Sequence, residues 1–124
     1  VLAGALFQPF KLDGRGEQKP GAPPYSELAP CAFSSQESAL RTFYHSEYMR
    51  SVVRHEGVEL TAAQARLLDL YDARGADPDV QLDMWLEPGD MQFLSNHSIA
   101  HARTAYEDDP AAPRHLLRLW LSLA

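Results

Sequence analysis

Two or three residue types near the C-terminal end of this chain are spaced in a way that could do metal chemistry. An iron(II) centre that activates dioxygen takes two histidines and one carboxylate on one face, leaving positions open for a bidentate 2-oxo acid and for oxygen. The far carboxylate of such an acid is held best by the fixed fork of an arginine. His101 lies in Asn96-His97-Ser98-Ile99-Ala100-His101-Ala102-Arg103-Thr104, and Arg114 and Arg118 follow 13 and 17 residues later. If the segment after Pro113 is a strand, Arg114, Leu116 and Arg118 share one face. The loop from Tyr106 to Pro113 then returns that face beside His101, so that one metal ligand meets one or two anion holders.

Other residues compete for these roles, and plainer readings stand beside them. His45-Ser46-Glu47 is the only His-x-acid triplet, and with His101, 56 residues on, it would formally complete a facial triad. It falls where a strand passes into a helix, so a solvated or hydrogen-bonded pair is the simpler account. His97 and His115 read as surface or ligand-supporting residues, and His55 beside Glu56 as solvent-facing. Arg114 could equally be a surface charge, and Arg118, inside an apolar run, could pair with Asp83 or Asp90 across a sheet. Glu107-Asp108-Asp109 reads as a solvated loop. Trp85 and Trp120 read as core packing.

The elements that must position these residues are punctuated clearly in places. Residues 1 to 35 hold five of the nine prolines and four of the seven glycines, which makes them a loop-rich lead-in. Within it Ala5 to Phe10 is compatible with one strand, and Asp13-Gly14-Arg15-Gly16 with a turn. Ala39 to Tyr44 has strand composition, and Ser46 to Arg54 reads as a short helix. Thr61-Ala62-Ala63-Gln64 is a capping box with Leu60 as its staple residue, so the sequence predicts a helix over about 62–73 that ends at Gly75. This is the 61–74 helical insertion. Beyond it, 80–86, 91–94, 99–103 and 116–121 read as strands separated by turns, one of them at Pro88-Gly89-Asp90. Residues 80–122 are therefore the expected core strands of a mainly β fold.

Composition narrows the function classes. At 124 residues, 45% hydrophobic and 23% charged, the chain is at most one small globular domain. A net charge of −6 and a pI near 5.2 argue against a nucleic-acid partner, which needs gathered Lys and Arg. No stretch is long and apolar enough for a membrane-spanning helix. The single cysteine, Cys31, cannot form an internal disulfide and suits a reducing compartment, with a cytoplasmic location as the expectation. A first residue Val1 with no signal-peptide pattern suggests a chain that starts in the middle of something.

Three segments together resemble a known family, the iron(II)/2-oxoglutarate-dependent dioxygenases of the taurine dioxygenase (TauD/TfdA) type. They are Pro88-Gly89-Asp90-Met91-Gln92-Phe93-Leu94; Asn96 with His101-Ala102-Arg103-Thr104-Ala105-Tyr106; and Arg114-His115-Leu116-Leu117-Arg118-Leu119-Trp120-Leu121. The resemblance is specific over about 86–121 and looser before that. It implies that His101 is the distal iron ligand, that Arg114 pairs with 2-oxoglutarate, and that Arg118 matches a second Arg that in some members reaches the substrate anion. It also implies the C-terminal part of a double-stranded β-helix, or jelly roll, whose proximal His-x-Asp/Glu belongs to a first half outside this chain. Iron(II), 2-oxoglutarate and dioxygen are the implied reactants, used to hydroxylate a small-molecule substrate at an unactivated C–H bond. Sulfonate, carboxylate, amino acid and betaine substrates are all compatible with one Arg near the iron. The partner of such a portion is a second copy or the missing N-terminal part. The alternative is a non-catalytic, truncated or degenerate β-sandwich remnant that binds no iron.

Overall fold

A computed structural model describes residues 2–34, 39–96 and 98–121. Its ordered elements lie in the first three-fifths of the chain: helix α1 (Leu2–Ala5), strands β1 (Phe10–Asp13), β2 (Tyr25–Leu28), β3 (Cys31–Ser34) and β4 (Ala39–Thr42), then helix α2 (Ser46–Arg50), a 3-10 turn (Ser51–Arg54) and helix α3 (Ala62–Gly75). The strands form two antiparallel pairs. Phe10 faces Leu28 and Asp13 faces Tyr25 in one, while Cys31 faces Thr42 and Ser34 faces Ala39 in the other.

Local sequence explains most of these elements. The β1–β2 connection begins where Arg15 and Gly16 take positive φ values of 49° and 86°, and the Arg15 amide donates to Asp13 Oδ1 at 3.0 Å. An Asp side chain bonding its own backbone two residues on is an Asx turn, as the Asp-Gly-Arg-Gly run predicts. At α3 both halves of the capping box form: the Gln64 amide donates to Thr61 Oγ1 at 3.2 Å, and the Thr61 amide donates to Gln64 Oε1 at 2.9 Å. Two of the four orphan amide donors of a helix start are thereby satisfied. Gly75 is the last helical residue and not a left-handed cap; Ala76 ends the helix with φ −92° and ψ 0°.

The core is small and lies between β1, α2 and α3. Phe10, Met49, Leu67 and Leu68 are its buried residues, and Ala5, Leu6, Leu12, Phe43, Tyr44, Leu60 and Tyr71 pack against them. Leu60 thus lies where a staple residue should. The Cys31 amide donates to the Leu6 carbonyl at 2.9 Å and ties β3 to the end of α1, while the Phe43 amide donates to the Pro30 carbonyl at 2.7 Å and extends the β3–β4 pair. Cys31 itself is buried, with Sγ 3.6 Å from the Tyr71 hydroxyl.

Several expectations are corrected. Ala5 to Phe10 is not one strand, because Leu2–Ala5 closes as a helical turn and the strand begins only at Phe10. The lead-in is less loop-like than its prolines imply: β2 and β3 flank Pro30 instead of containing it, so no ladder donor is lost. The largest difference concerns 80–121. Among the described residues this stretch holds no strand, only turns and one isolated bridge between Asp109 and Ala112. A strand alternation is stable only when a neighbour accepts its ladder and covers its apolar face. None of the described residues does so. Trp85 (92% exposed) and Trp120 (72%) are accordingly on the surface and not in the core.

No described helix is long and apolar enough to cross a membrane.

Candidate functional site

The segment that carries the candidate site is shaped by local turns. At Glu87-Pro88-Gly89-Asp90 the Asp90 amide donates to the Glu87 carbonyl at 3.0 Å, and Asp90 Oδ2 accepts the Glu87 amide at 2.8 Å. Pro88 presets the second position, and Gly89, with φ +99°, takes the left-handed third position that a side chain would strain. Ahead of His101 the amides of Ser98 and Ile99 both donate to the Ser95 carbonyl at 3.0 Å. Past it the chain reverses at Asp109-Pro110-Ala111-Ala112, where the Ala112 amide reaches the Asp109 carbonyl at 3.0 Å and the Ala111 amide reaches Asp109 Oδ1 at 2.8 Å. The acidic run therefore builds the return loop.

This reversal gathers Arg103 and Arg114 on one ring. The Arg103 guanidinium lies 4.7 Å from the Tyr106 centroid and donates to the Tyr106 hydroxyl at 3.1 Å, while the Arg114 guanidinium lies 5.0 Å from the same centroid. Asp108 Oδ1 accepts the main-chain amide of Arg114 at 3.3 Å. Arg103, Thr104, Ala105, Tyr106 and Asp108 line a surface concavity here. The sequence reading singled out Arg114 and passed over Arg103 and Tyr106. The available signal was the Arg-x-x-Tyr spacing across the turn, which puts a cation and an aromatic face within reach.

The other candidates separate. His101 is exposed, and among the described residues no hydrogen bond or ion pair joins it to Arg114 or Arg118. Arg118 is exposed as well, and the carboxylates considered for it are engaged locally: Asp83 accepts from Gln81 Nε2 at 2.7 Å, and Asp90 holds the turn just described. His97 lies outside the described residues, and His115 is exposed. His45 and Glu47 do not converge on a metal position. The His45 ring packs edge-on against Tyr48 at 4.1 Å, and Glu47 pairs with Arg15 at 3.0 Å.

His55 is a correction. It is half-buried, with Nε2 3.0 Å from Asp13 Oδ1, where Arg54 also reaches Asp13 through Nε at 2.7 Å. Burial alone would push the Asp13 carboxyl up, but the Arg15 amide, His55 and Arg54 together outweigh it and hold the group well below the ordinary carboxylate range. A second network joins α2 to α3. Arg50 pairs with Asp69 at 2.9 Å and Asp72 at 2.7 Å, and Asp72 also takes the Tyr44 hydroxyl. These clusters serve the fold: Arg15, Arg50, Arg54 and Arg74 each have a carboxylate partner. Arg103, Arg114 and Arg118 have none among the described residues.

The donor set decides what could bind. Among the described residues no group of three His, Cys, Asp or Glu is placed to hold a metal. Iron(II) therefore finds no complete ligand set among the described residues alone. Arg114, its guanidinium 5.0 Å from the Tyr106 centroid, has no acidic side-chain partner among the described residues.

A comparison with protein families matches residues 6–120 to the description "Taurine catabolism dioxygenase TauD, TfdA family". The chain belongs to the TauD/TfdA family. Its curated relatives include FR-33289 synthase of Streptomyces rubellomurinus, 31% identical over 126 residues, covering 98% of this chain and 37% of the relative. Uridine-5'-phosphate dioxygenase of a Streptomyces species is 43% identical over 53 residues, covering 43% of this chain and 19% of the relative. The enzyme of the same name from an Amycolatopsis species is 40% identical over 53 residues. This TauD/TfdA chain thus spans little more than a third of the length of the relative it matches throughout.

Proposed function

We propose that this chain is the C-terminal portion of a non-haem iron dioxygenase, contributing His101 to the metal and Arg114 to 2-oxoglutarate. The observation that carries the reading is the Arg114 guanidinium, lodged against Tyr106 with no carboxylate partner, 13 residues beyond His101 in a chain that matches the family over 6–120. A fixed guanidinium fork is the group a 2-oxo acid carboxylate requires. The remaining histidine and carboxylate come from residues other than those described.

In this reading 80–122 supplies core strands of a double-stranded β-helix once neighbouring strands pair with it. The exposed apolar side chains Leu82, Trp85, Met91, Phe93, Leu117 and Leu119 support that, since they are the surface such pairing would cover. The substrate is a small anionic molecule. Arg118, exposed and without an acidic partner, is the residue proposed to meet its charge, and a phosphate ester suits it because relatives are named for acting on uridine 5'-phosphate.

The test is anaerobic titration of iron(II) and 2-oxoglutarate, followed through the visible charge-transfer absorption of the chelate, on the chain and on His101→Ala. A band that vanishes in the variant supports the assignment. A band that persists in the variant removes His101 from the metal, and no band in a folded sample means this chain does not assemble the centre on its own.

A further inference from the structure

We propose that Arg103 and Arg114 form a two-arginine seat for a single carboxylate, with Tyr106 as the residue that positions both. The proposal rests on the reading of Arg114 as the 2-oxo acid holder and adds two residues to it. Sequence spacing made Arg118 the companion of Arg114, whereas the structure brings Arg103 instead: the two guanidiniums sit 4.7 and 5.0 Å from the same ring centroid.

Charge and geometry both point to an anion here. Two like charges on one small ring repel, and the arrangement is favourable when a negative group lies between them. No ion pair joins Asp108 to either guanidinium among the described residues; its Oδ1 accepts the Arg114 main-chain amide at 3.3 Å. The Tyr106 face offers each guanidinium a negative quadrupole, and its hydroxyl accepts from Arg103 Nη1 at 3.1 Å. Both planar forks are thus held in place before the ligand arrives, which reduces the ordering cost of binding. The hinge that makes this possible is the Asp109-Ala112 reversal, which returns Arg114 to the residues preceding it.

Calorimetric titration of metal-free chain with 2-oxoglutarate tests the proposal, with circular dichroism confirming that each variant retains the wild-type spectrum. Arg114→Ala and Arg103→Ala should each weaken binding by about tenfold or more, as expected for loss of a charge-assisted pair. Tyr106→Phe keeps the ring face and should bind within about twofold of wild type, whereas Tyr106→Leu keeps bulk without the quadrupole and should weaken binding about two- to fivefold. If Arg114→Ala weakens binding while Arg103→Ala and Tyr106→Leu do not, the two-arginine seat is wrong and the role of Arg114 stands. If Arg114→Ala binds like wild type, or wild type does not bind, the reading of Arg114 falls and the seat with it. Equal effects of Tyr106→Phe and Tyr106→Leu would overturn positioning by the ring face.

Discussion

The Asp13 carboxylate at the end of β1 and the Arg54 guanidinium at the end of the 3-10 turn meet at 2.7 Å, with the Asp13 side chain fully buried and Arg54 half-exposed. The contact ties the first hairpin to the helical part, and it makes stability depend on pH. Because the folded-state pKa of Asp13 is shifted downward, its contribution is fully present above the ordinary carboxylate value of 3.8 and is lost as pH falls below it. Asp13→Asn should therefore lower the urea midpoint at pH 7 and flatten the acid limb of the stability curve. Equal acid sensitivity in the variant would show that other carboxylates govern that limb.

Leu68 and Leu70 lie on the same helix, at 1% and 44% exposure. Leu68→Ala opens space against Phe10, Met49 and Leu67 and should cost about 2–5 kcal/mol. Leu70→Ala should change stability by no more than about 0.5 kcal/mol. Denaturant unfolding of both variants checks the contrast.

Thr61→Ala removes the acceptor for the Gln64 amide and breaks the reciprocal cap. The expected loss is about 0.5–2 kcal/mol, with Thr61→Ser retaining most of the stability. Helicity followed on heating distinguishes the two.

Tyr44 has its hydroxyl between the Leu68 carbonyl and the Asp72 carboxylate, and its ring stacks on Tyr71 at 4.5 Å. Burial and the Asp72 hydrogen bond push its ionisation up to about 12, with Arg50 opposing. A raised folded value means that the contribution of the neutral phenol is intact below the ordinary value of 10.0 and declines as pH rises towards about 12. Burial also raises Tyr71, so tyrosinate absorbance should show late-titrating groups of which Tyr44→Phe removes one.

Legibility followed locality. The capping box at Thr61, the Pro88-Gly89 turn and the α2 start were readable because each is set by residues within a few positions of one another. β2 and β3 were missed because their pairing is decided by partners elsewhere in the chain, and Pro30 between them reads as loop. The strand patterns in 80–121 are present as sequence, yet a ladder needs a neighbour and none of the described residues supplies one. At the candidate site, Arg114 is singled out in the sequence by its spacing from His101. Arg103 and Tyr106 are not, because the contact that joins them to Arg114 exists only once the chain has reversed at Pro110. The protection of Asp13 by His55 was hidden for the same reason, as it bridges residues 42 apart in sequence.

The helix–hairpin unit up to Ala76 holds the paired strands, α3 and the buried core, while the described residues around His101 and Arg114 close only short turns. Assembly then has an order. Contacts local in sequence form first, and a segment that must wait for strand partners gains its protection last. Amide exchange should be slow across α3 and fast from Leu82 to Leu121; equal protection in both regions would remove that order.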